Sequence, residues 1–149
     1  MTLLIRNMTA ADIVPLYRLL SDELVMRYLE PVYSFEKTVS FLHRYGLTED
    51  PRIYAAEDGH NHFIGYVIYH PYDAESMEIG WVLNRSVHGQ GYAQSLTKQL
   101  IRRAEDEGKN VIIECTPEQC VTKHIAEKFG FVRIGLRDGC EVYELKTRR

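Results

Sequence analysis

A short stretch with two glycines and an alanine carries the clearest chemical signal in the sequence. Residues Gly89-Gln90-Gly91-Tyr92-Ala93 open an amphipathic helical pattern, although glycine is the poorest helix former after proline. A helix N-terminus has unpaired N–H groups and a partial positive charge, and glycine lets a ligand approach the backbone without a Cβ in between. The stretch therefore indicates a pyrophosphate cradle. From these residues alone, a tight strand-to-helix turn that needs glycine only for its dihedral angles is an equal alternative.

Two other phosphate-binding motifs do not fit this stretch. A dinucleotide fingerprint requires a third small residue after Gly89 and Gly91, but Gln94 follows. A P-loop requires Gly-Lys-Ser/Thr after four intervening residues, and the sequence has no such run. Neither a Rossmann nor a P-loop nucleotide site is expected.

The wider context of the cradle resembles a known family. EIGWVLNRSVHGQGYAQSL, followed by EKFGF, is similar to the Gcn5-related N-acetyltransferases (the GNAT superfamily), whose coenzyme A motif is Gln/Arg-x-x-Gly-x-Gly/Ala. His88, Gly91 and Ala93 take its three defined positions, with histidine where the family favours glutamine or arginine. MTAADIVPLYRLLSDELVMRYLEP and SFEKTVSFL resemble the ribosomal-protein N-terminal acetyltransferase branch. The resemblance covers the whole chain and implies one N-acetyltransferase domain over residues 1–149, with acetyl-CoA as co-substrate.

The resemblance also implies where coenzyme A binds. The backbone of Trp81, Val82 and Leu83 would pair with the pantetheine arm, on a strand that splays from its neighbour; plain sheet and core is the alternative for these three. The pyrophosphate would be bound by the loop residues His88, Gly89, Gln90, Gly91, Tyr92, Ala93 and Gln94. On the last helix, Gln119 takes the place of a pantetheine-binding asparagine.

Acyl transfer to an amine needs a base for the amine proton and an acid for the thiolate. Glu114 is the first candidate base, since it ends an apolar strand where burial would raise its pKa; a solvent-facing strand end is an equal alternative. Glu78 is the second candidate, and a solvated sheet face is the alternative for it. The family's frequent tyrosine acid is replaced by Ala126, so the proton donor is undefined. Thr122 stands where this branch has serine and could reach the sulfur, or could be bonded within its own helix.

Composition limits the partners and the location. With 149 residues and a net charge of −3, the chain lacks the basic surface typical of nucleic-acid binders. Three cysteines without ligand spacing favour a reduced cytoplasmic protein, and the six histidines show no metal-binding spacing. We expect no metal, no membrane partner and no secretory segment, and leave open whether the chain forms a homodimer. Cys120 is interpreted as a bystander thiol, and Tyr66, Tyr69 and Tyr72 as packing residues.

The elements that must position these residues form a mixed α/β pattern. The predicted order is strand, three helices, a hairpin, a third strand, a helix, a buried strand, a helix and two final strands. Thr9, Ser21 and Ser34 are the predicted N-caps of the first three helices, and Thr116-Pro117-Glu118-Gln119 is predicted to open the last helix. The predicted fold is a central, mostly antiparallel, splayed mixed sheet flanked by helices, as in acyl-CoA N-acyltransferases. The predicted function is direct transfer of an acetyl group from acetyl-CoA to a primary amine, on a peptide N-terminus or a small molecule, within a ternary complex; the alternative is a non-catalytic coenzyme A-binding module.

Overall fold

The computed structural model describes residues 2–147, which form two compact units. One unit comprises residues 2–69 and 81–96, and the other comprises residues 70–80 and 97–147. The helices are α1 (Ile13–Leu20), α2 (Glu23–Met26), α3 (Phe35–Phe41), α4 (Tyr92–Asp106) and α5 (Cys120–Lys128). The strands are β1 (Leu4–Arg6), β2 (Ile53–Glu57), β3 (Phe63–Pro71), β4 (Ser76–Leu83), β5 (Asn110–Cys115), β6 (Val132–Arg137) and β7 (Cys140–Leu145). The single domain expected over the whole chain stays a prediction.

The strands pair as a mixed sheet in the order β1-β2-β3-β4-β5-β7-β6. Strands β1 and β2, β2 and β3, β5 and β7, and β6 and β7 are antiparallel, whereas β4 and β5 are parallel. The parallel register joins Ser76–Glu78 to Asn110–Ile112, although β4 continues to Leu83 and β5 to Cys115. The predicted fold class, a mostly antiparallel mixed sheet with flanking helices, is confirmed.

The first unit is organised by its helix caps. Thr9 and Asp12 form the predicted capping box at a short 3-10 helix, Ala10–Asp12, which leads directly into α1; the Thr9 N–H donates to Asp12 Oδ2 at 2.7 Å, and Asp12 is the N-cap of α1 itself. Ser34 caps α3 as predicted, by accepting from the Lys37 N–H at 3.1 Å. The prediction for α2 was wrong: its cap is Asp22, whose carboxylate accepts from Leu24 and Val25, because the Ser21 hydroxyl donates back to the Tyr17 carbonyl.

The second unit is built around β5, in which Val111, Ile112 and Ile113 are fully buried. The final two strands meet at Asp138 and Gly139, which have φ angles of 51° and 80°, the left-handed pair that a two-residue hairpin requires. The predicted start of α5 was early. The helix begins at Cys120, because residues 116–119 form a turn in which the Gln119 side-chain oxygen accepts from the Thr116 N–H at 2.8 Å.

Candidate active site

The glycine loop adopts the backbone conformation that its sequence suggested. Gly89 and Gly91 have φ angles of 77° and 80°, in the left-handed region that favours glycine. A Cβ built on Gly89 would meet no atom within 4 Å. Glycine at position 89 therefore adopts a positive φ without strain and also leaves the backbone open to a ligand.

Side chains of the loop fasten it to the backbone just before it. The His88 ring nitrogen Nε2 lies 2.8 Å from the Leu83 carbonyl oxygen, and Gln90 Nε2 donates to the Ser86 carbonyl at 2.9 Å. The Ser95 N–H donates to the Gly91 carbonyl at 3.1 Å, so the hydrogen-bond ladder of α4 starts at Gly91. The amides of Gly89 and Gly91 thus lie ahead of the first turn of α4, where a helix can bind an anion.

A surface cleft of about 420 Å³ borders this loop within the first unit. Its lining comprises Thr2, Leu3, Asp58, Gly59, His60, Gln90 and Tyr92. Gln90 and Tyr92 are therefore placed beside open space, whereas Ala93 and Gln94 are half-buried in the first turn of α4.

The strand that leads into the loop is held by a glycine that the sequence reading missed. Gly65 on β3 has a φ of 147°, and a Cβ there would collide with the Val82 carbonyl oxygen and the Leu83 Cα atom. The Asn84 N–H donates to the Ile64 carbonyl at 2.8 Å. Val82 and Leu83 are buried, and Trp81, which was interpreted as core, is half-buried. The close backbone contact fixes the end of β4 immediately before the loop.

An ion pair also joins the loop region to the start of α2 within the first unit. Arg85 Nε and Nη2 each donate to one oxygen of Asp22 at 2.8 Å. Asp22 is the N-cap of α2, so one carboxylate serves both the helix and the loop. The hydrogen bonds from Arg85, together with those from the α2 amides, lower the pKa of Asp22.

Both candidate bases belong to the second unit and project from the same face of its strands. Glu78 pairs with Ile112 across the parallel ladder, and Glu114 lies two residues beyond Ile112 on β5. Side chains alternate along a strand, so Glu78, Ile112 and Glu114 share one face. Both glutamates are half-buried. Partial burial lies between the two alternatives that the sequence left open for Glu114, so its role as the base stays a prediction.

Glu114 has a partner that the sequence did not indicate. The Tyr72 hydroxyl donates to Glu114 Oε2 at 2.7 Å, across 42 residues of sequence. The Arg137 guanidinium lies over the Tyr72 ring, 5.2 Å from its centroid. Burial and the bond to Glu114 raise the pKa of Tyr72. Tyr72 is therefore more than a packing residue, whereas Tyr66 and Tyr69 are buried as predicted.

Two further groups complete the surroundings of the carboxylates. His70 Nε2 lies 3.7 Å from Glu78 Oε1. Cys140 pairs opposite Arg137, and burial together with the charges of Glu114, Asp138 and Glu78 raises the pKa of its thiol. Both glutamates thus act on one thiol, which places them in a common electrostatic neighbourhood.

The candidates on α5 are arranged differently. Gln119 uses its side-chain oxygen on the Thr116 N–H, which is the capping role that the sequence allowed as an alternative. Thr122 is half-buried. Ala126, which takes the place of the family's frequent tyrosine, is fully buried. Lys123 on the same helix pairs with Glu141 at 3.1 Å, and Glu141 is opposite Cys115 and so faces away from Glu114. The structure therefore shows no bond that brings Thr122 to either carboxylate within residues 2–147.

Two general features of the described chain bear on partners. Across residues 2–147, histidine, cysteine and acidic side chains form no group of three or more with a geometry for holding a metal ion. Over the same residues, none of the helices has the length and apolar character needed to span a bilayer.

Comparisons with known proteins converge on one family. Residues 2–132 match the family model described as an acetyltransferase (GNAT) domain. The chain is 29% identical over 145 residues to the uncharacterized N-acetyltransferase YnaD of Bacillus subtilis, covering 93% of this chain and 84% of that protein. A GNAT-family acetyltransferase structure from Bacillus anthracis has a TM-score of 0.86 at 25% identity, covering 98% of this chain and 95% of the other. The spermidine N-acetyltransferase of Vibrio cholerae, solved with CoA and spermine, shares the fold with a TM-score of 0.79 at 20% identity, covering 95% and 92% of the two chains.

Proposed function

The chain belongs to the GNAT acetyltransferase family, and from that premise we propose that it transfers an acetyl group from acetyl-CoA to a primary amine. The observation that carries the proposal is the loop at Gly89–Ala93, whose two left-handed glycines precede α4 in the position of the family's coenzyme A motif. The likeness to a CoA-bound neighbour supports coenzyme A as the co-substrate.

The residues present in the loop fit a pyrophosphate. The backbone at Gly89 is open, and the side chains of His88 and Gln90 are bonded to the carbonyls of Leu83 and Ser86. The amides of residues 89–94 would hold the pyrophosphate, and the backbone of residues 81–83 would hold the pantetheine arm. Gln119 and Thr122 remain proposed contacts to the pantetheine end. Acetyl-CoA, when bound, supplies the acetyl group in the activated form of a thioester.

The protein's own contribution to the chemistry is proton transfer from the amine. An alkyl ammonium must lose a proton before its nitrogen can attack a carbonyl. We assign this step to Glu114, because its carboxylate is half-buried and is held by a hydrogen bond from Tyr72. Glu78 is the second candidate, and its 3.7 Å approach to His70 makes it part of another charged pair.

Direct transfer in a ternary complex follows from this assignment. Cys140 interacts with both carboxylates and Cys115 follows Glu114 in sequence, and the raised pKa of each thiol disfavours the thiolate that a covalent acetyl carrier needs. The amine would be a peptide N-terminus or a small molecule. Since a base and an amine must both lose protons, the logarithm of kcat/KM is expected to rise between about pH 6 and 8.

The experiment that tests the proposal is a screen of primary amines with acetyl-CoA. Release of free thiol is followed, and the acetylated product is identified by mass spectrometry. The proposal predicts thiol release above the rate of hydrolysis and a product heavier by one acetyl group. Binding of acetyl-CoA without turnover of any amine would instead favour a non-catalytic coenzyme A-binding module, which the capping role of Gln119 and the alanine at position 126 also suit. A preference for hydroxyl acceptors would contradict amine chemistry.

A further inference from the structure

The bond between Tyr72 and Glu114 joins two segments that nothing in the sequence connects. Tyr72 follows the last residue of β3, and its N–H donates to the Ser76 carbonyl at 2.9 Å, which fixes the turn into β4. Its hydroxyl donates to Glu114 Oε2 at 2.7 Å, a short distance typical of a hydroxyl bonded to a carboxylate. The turn therefore places the Tyr72 hydroxyl against the Glu114 carboxylate, the proposed base.

The ring itself is held from another direction. Arg137, the last residue of β6, places its guanidinium 5.2 Å from the Tyr72 ring centroid. This cation–π contact and the turn at Ser76 act on different atoms of Tyr72. The turn and the cation–π contact both support the ring position from which the hydroxyl reaches Glu114.

We propose that Tyr72 is a positioning residue for amine deprotonation: its hydroxyl holds Oε2 of Glu114, so that Oε1 is the oxygen that accepts the amine proton. This inference rests on the proposed function. The phenol remains neutral in this role, in keeping with the raised pKa that burial and the bond to Glu114 give it. One carboxylate oxygen is thus occupied by a donor that carries no charge, and the other is left for the substrate.

Other ionisable groups lie around the same face of the sheet or interact with the groups there. They are Arg137 and Asp138 at the β6–β7 turn, Cys140 and Glu144 on β7, and Glu78 with its neighbour His70. The Tyr72 hydroxyl also interacts with Arg137 and raises the pKa of that guanidinium. Removal of the hydroxyl therefore acts on Glu114 and on Arg137 together, and the signal of Glu114 itself has to be followed.

The test is the pH profile of kcat for Tyr72→Phe with an amine that the wild-type protein acetylates. The variant keeps the ring over which Arg137 lies, but loses the hydroxyl that donates to the carboxylate and also interacts with Arg137. We expect the acidic limb of the profile to move up by about one pH unit, and the plateau above it to fall severalfold. An unchanged limb, with or without a lower melting temperature, would overturn the proposal.

Tyr143→Phe is the matched control. Tyr143 also donates to a glutamate, Glu141 at 3.4 Å, but that side chain lies on the opposite face of the sheet. Its removal is expected to leave the acidic limb where it is. An equal shift in both variants would mean that the effect is general to the sheet, and would overturn the role assigned to Tyr72.

A measurement without turnover separates this inference from the proposed function. The carboxyl carbons of isotopically labelled glutamate are titrated by NMR, and the Glu114 signal is assigned by its loss in Glu114→Gln. The midpoint for that signal should rise by about one pH unit in Tyr72→Phe whether or not an amine is acetylated. If the midpoint moves while no amine is turned over, the proposed function fails and the Tyr72–Glu114 coupling stands. If an amine is turned over and the midpoint does not move, the proposed function stands and the role of Tyr72 is overturned.

Discussion

The glycine loop of the first unit presents mainly backbone, whereas the carboxylate face of the second unit (Glu78, Glu114 and Tyr72) presents side chains. The loop offers backbone: two glycines at positive φ, with no neighbour near the Cβ position of Gly89. The carboxylate face offers side chains: Glu78 and Glu114 from two strands and Tyr72 from a turn. The loop depends on the absence of side chains at its glycines, whereas the carboxylate face depends on contacts between side chains.

This difference determines how each region can be damaged. Added atoms in the loop would fill a space that a ligand needs, whereas conservative changes elsewhere in the loop would matter little. On the carboxylate face, removal of one charge or one hydrogen bond is enough. Binding and turnover should therefore respond to different substitutions, and variants that affect both equally would break the distinction.

The largest expected effect is on the carboxylate face. Glu114→Gln should lower kcat by about 10²-fold, the low end for the loss of a general base. Affinity for acetyl-CoA, measured by calorimetry, should be unchanged because the glycine loop is intact. Glu144→Gln is the control, since Glu144 is also half-buried, on the neighbouring strand and the same face. If both variants lose the same activity, Glu114 is not the base.

The next largest effect concerns the support of the glycine loop. Gly65→Ala would force a Cβ against the Val82 carbonyl at a φ that L residues rarely adopt, so the free energy of unfolding should fall by about 2 kcal/mol. Chemical denaturation measures the change. At saturating acetyl-CoA, kcat should be affected less than the affinity, because the carboxylates are untouched.

Gly135→Ala on β6 is the comparison for that variant. A Cβ at Gly135 meets nothing within 4 Å, so alanine there should leave the stability unchanged or slightly higher. Equal destabilisation by the two alanines would show that the close contact of Gly65 with β4 does not cause the loss of stability in Gly65→Ala.

A smaller effect is expected at the second glutamate. Glu78→Gln should lower kcat by less than about tenfold, because Glu78 contributes to the field around Glu114 and Cys140 without taking the proton. Steady-state kinetics of Glu78→Gln and Glu114→Gln, measured side by side, show which variant loses more kcat. If Glu78→Gln is the more damaged variant, the base assignment moves to β4.

The smallest effect is expected from the exposed ion pair beside the loop. Arg85→Gln should lower the melting temperature slightly at neutral pH, since solvent-exposed pairs stabilise weakly. The pKa of Asp22 is lowered mainly by its bond from Arg85, so this stabilisation exists above the ordinary aspartate pKa of 3.8 and is lost as the pH falls through the lower folded value. Thermal unfolding at pH 7 and near pH 3 should show a smaller wild-type advantage at the lower pH. An advantage of the same size at both pH values would mean that Arg85 stabilises through another contact.

The predictability of the two regions from sequence differs for the same physical reason. The loop lies within one stretch of chain, so the glycines at 89 and 91 and the amphipathic pattern of α4 were enough to locate it. The caps at Thr9 and Ser34 were also correct, because a cap bonds only to residues two or three positions away.

The carboxylate face depends on partners that are distant in sequence. Glu114 could be selected because a lone glutamate interrupts an apolar strand, but its bond with Tyr72 spans 42 residues. Gly65 was missed because the residues that approach it, Val82 and Leu83, lie at the far end of the next strand, β4. The start of α5 was misplaced because Gln119 satisfies a cap pattern through a turn that precedes the helix.

Binding of acetyl-CoA by the backbone of the glycine loop is the central prediction for this protein. Calorimetric titration of acetyl-CoA into Gly91→Asp and Gly91→Asn tests it directly, because the two side chains are similar in size and both tolerate positive φ. Both variants should bind more weakly than the wild-type protein, and the aspartate should bind at least about tenfold more weakly than the asparagine, since it adds a negative charge beside the pyrophosphate. Wild-type affinity in Gly91→Asp would contradict the claim.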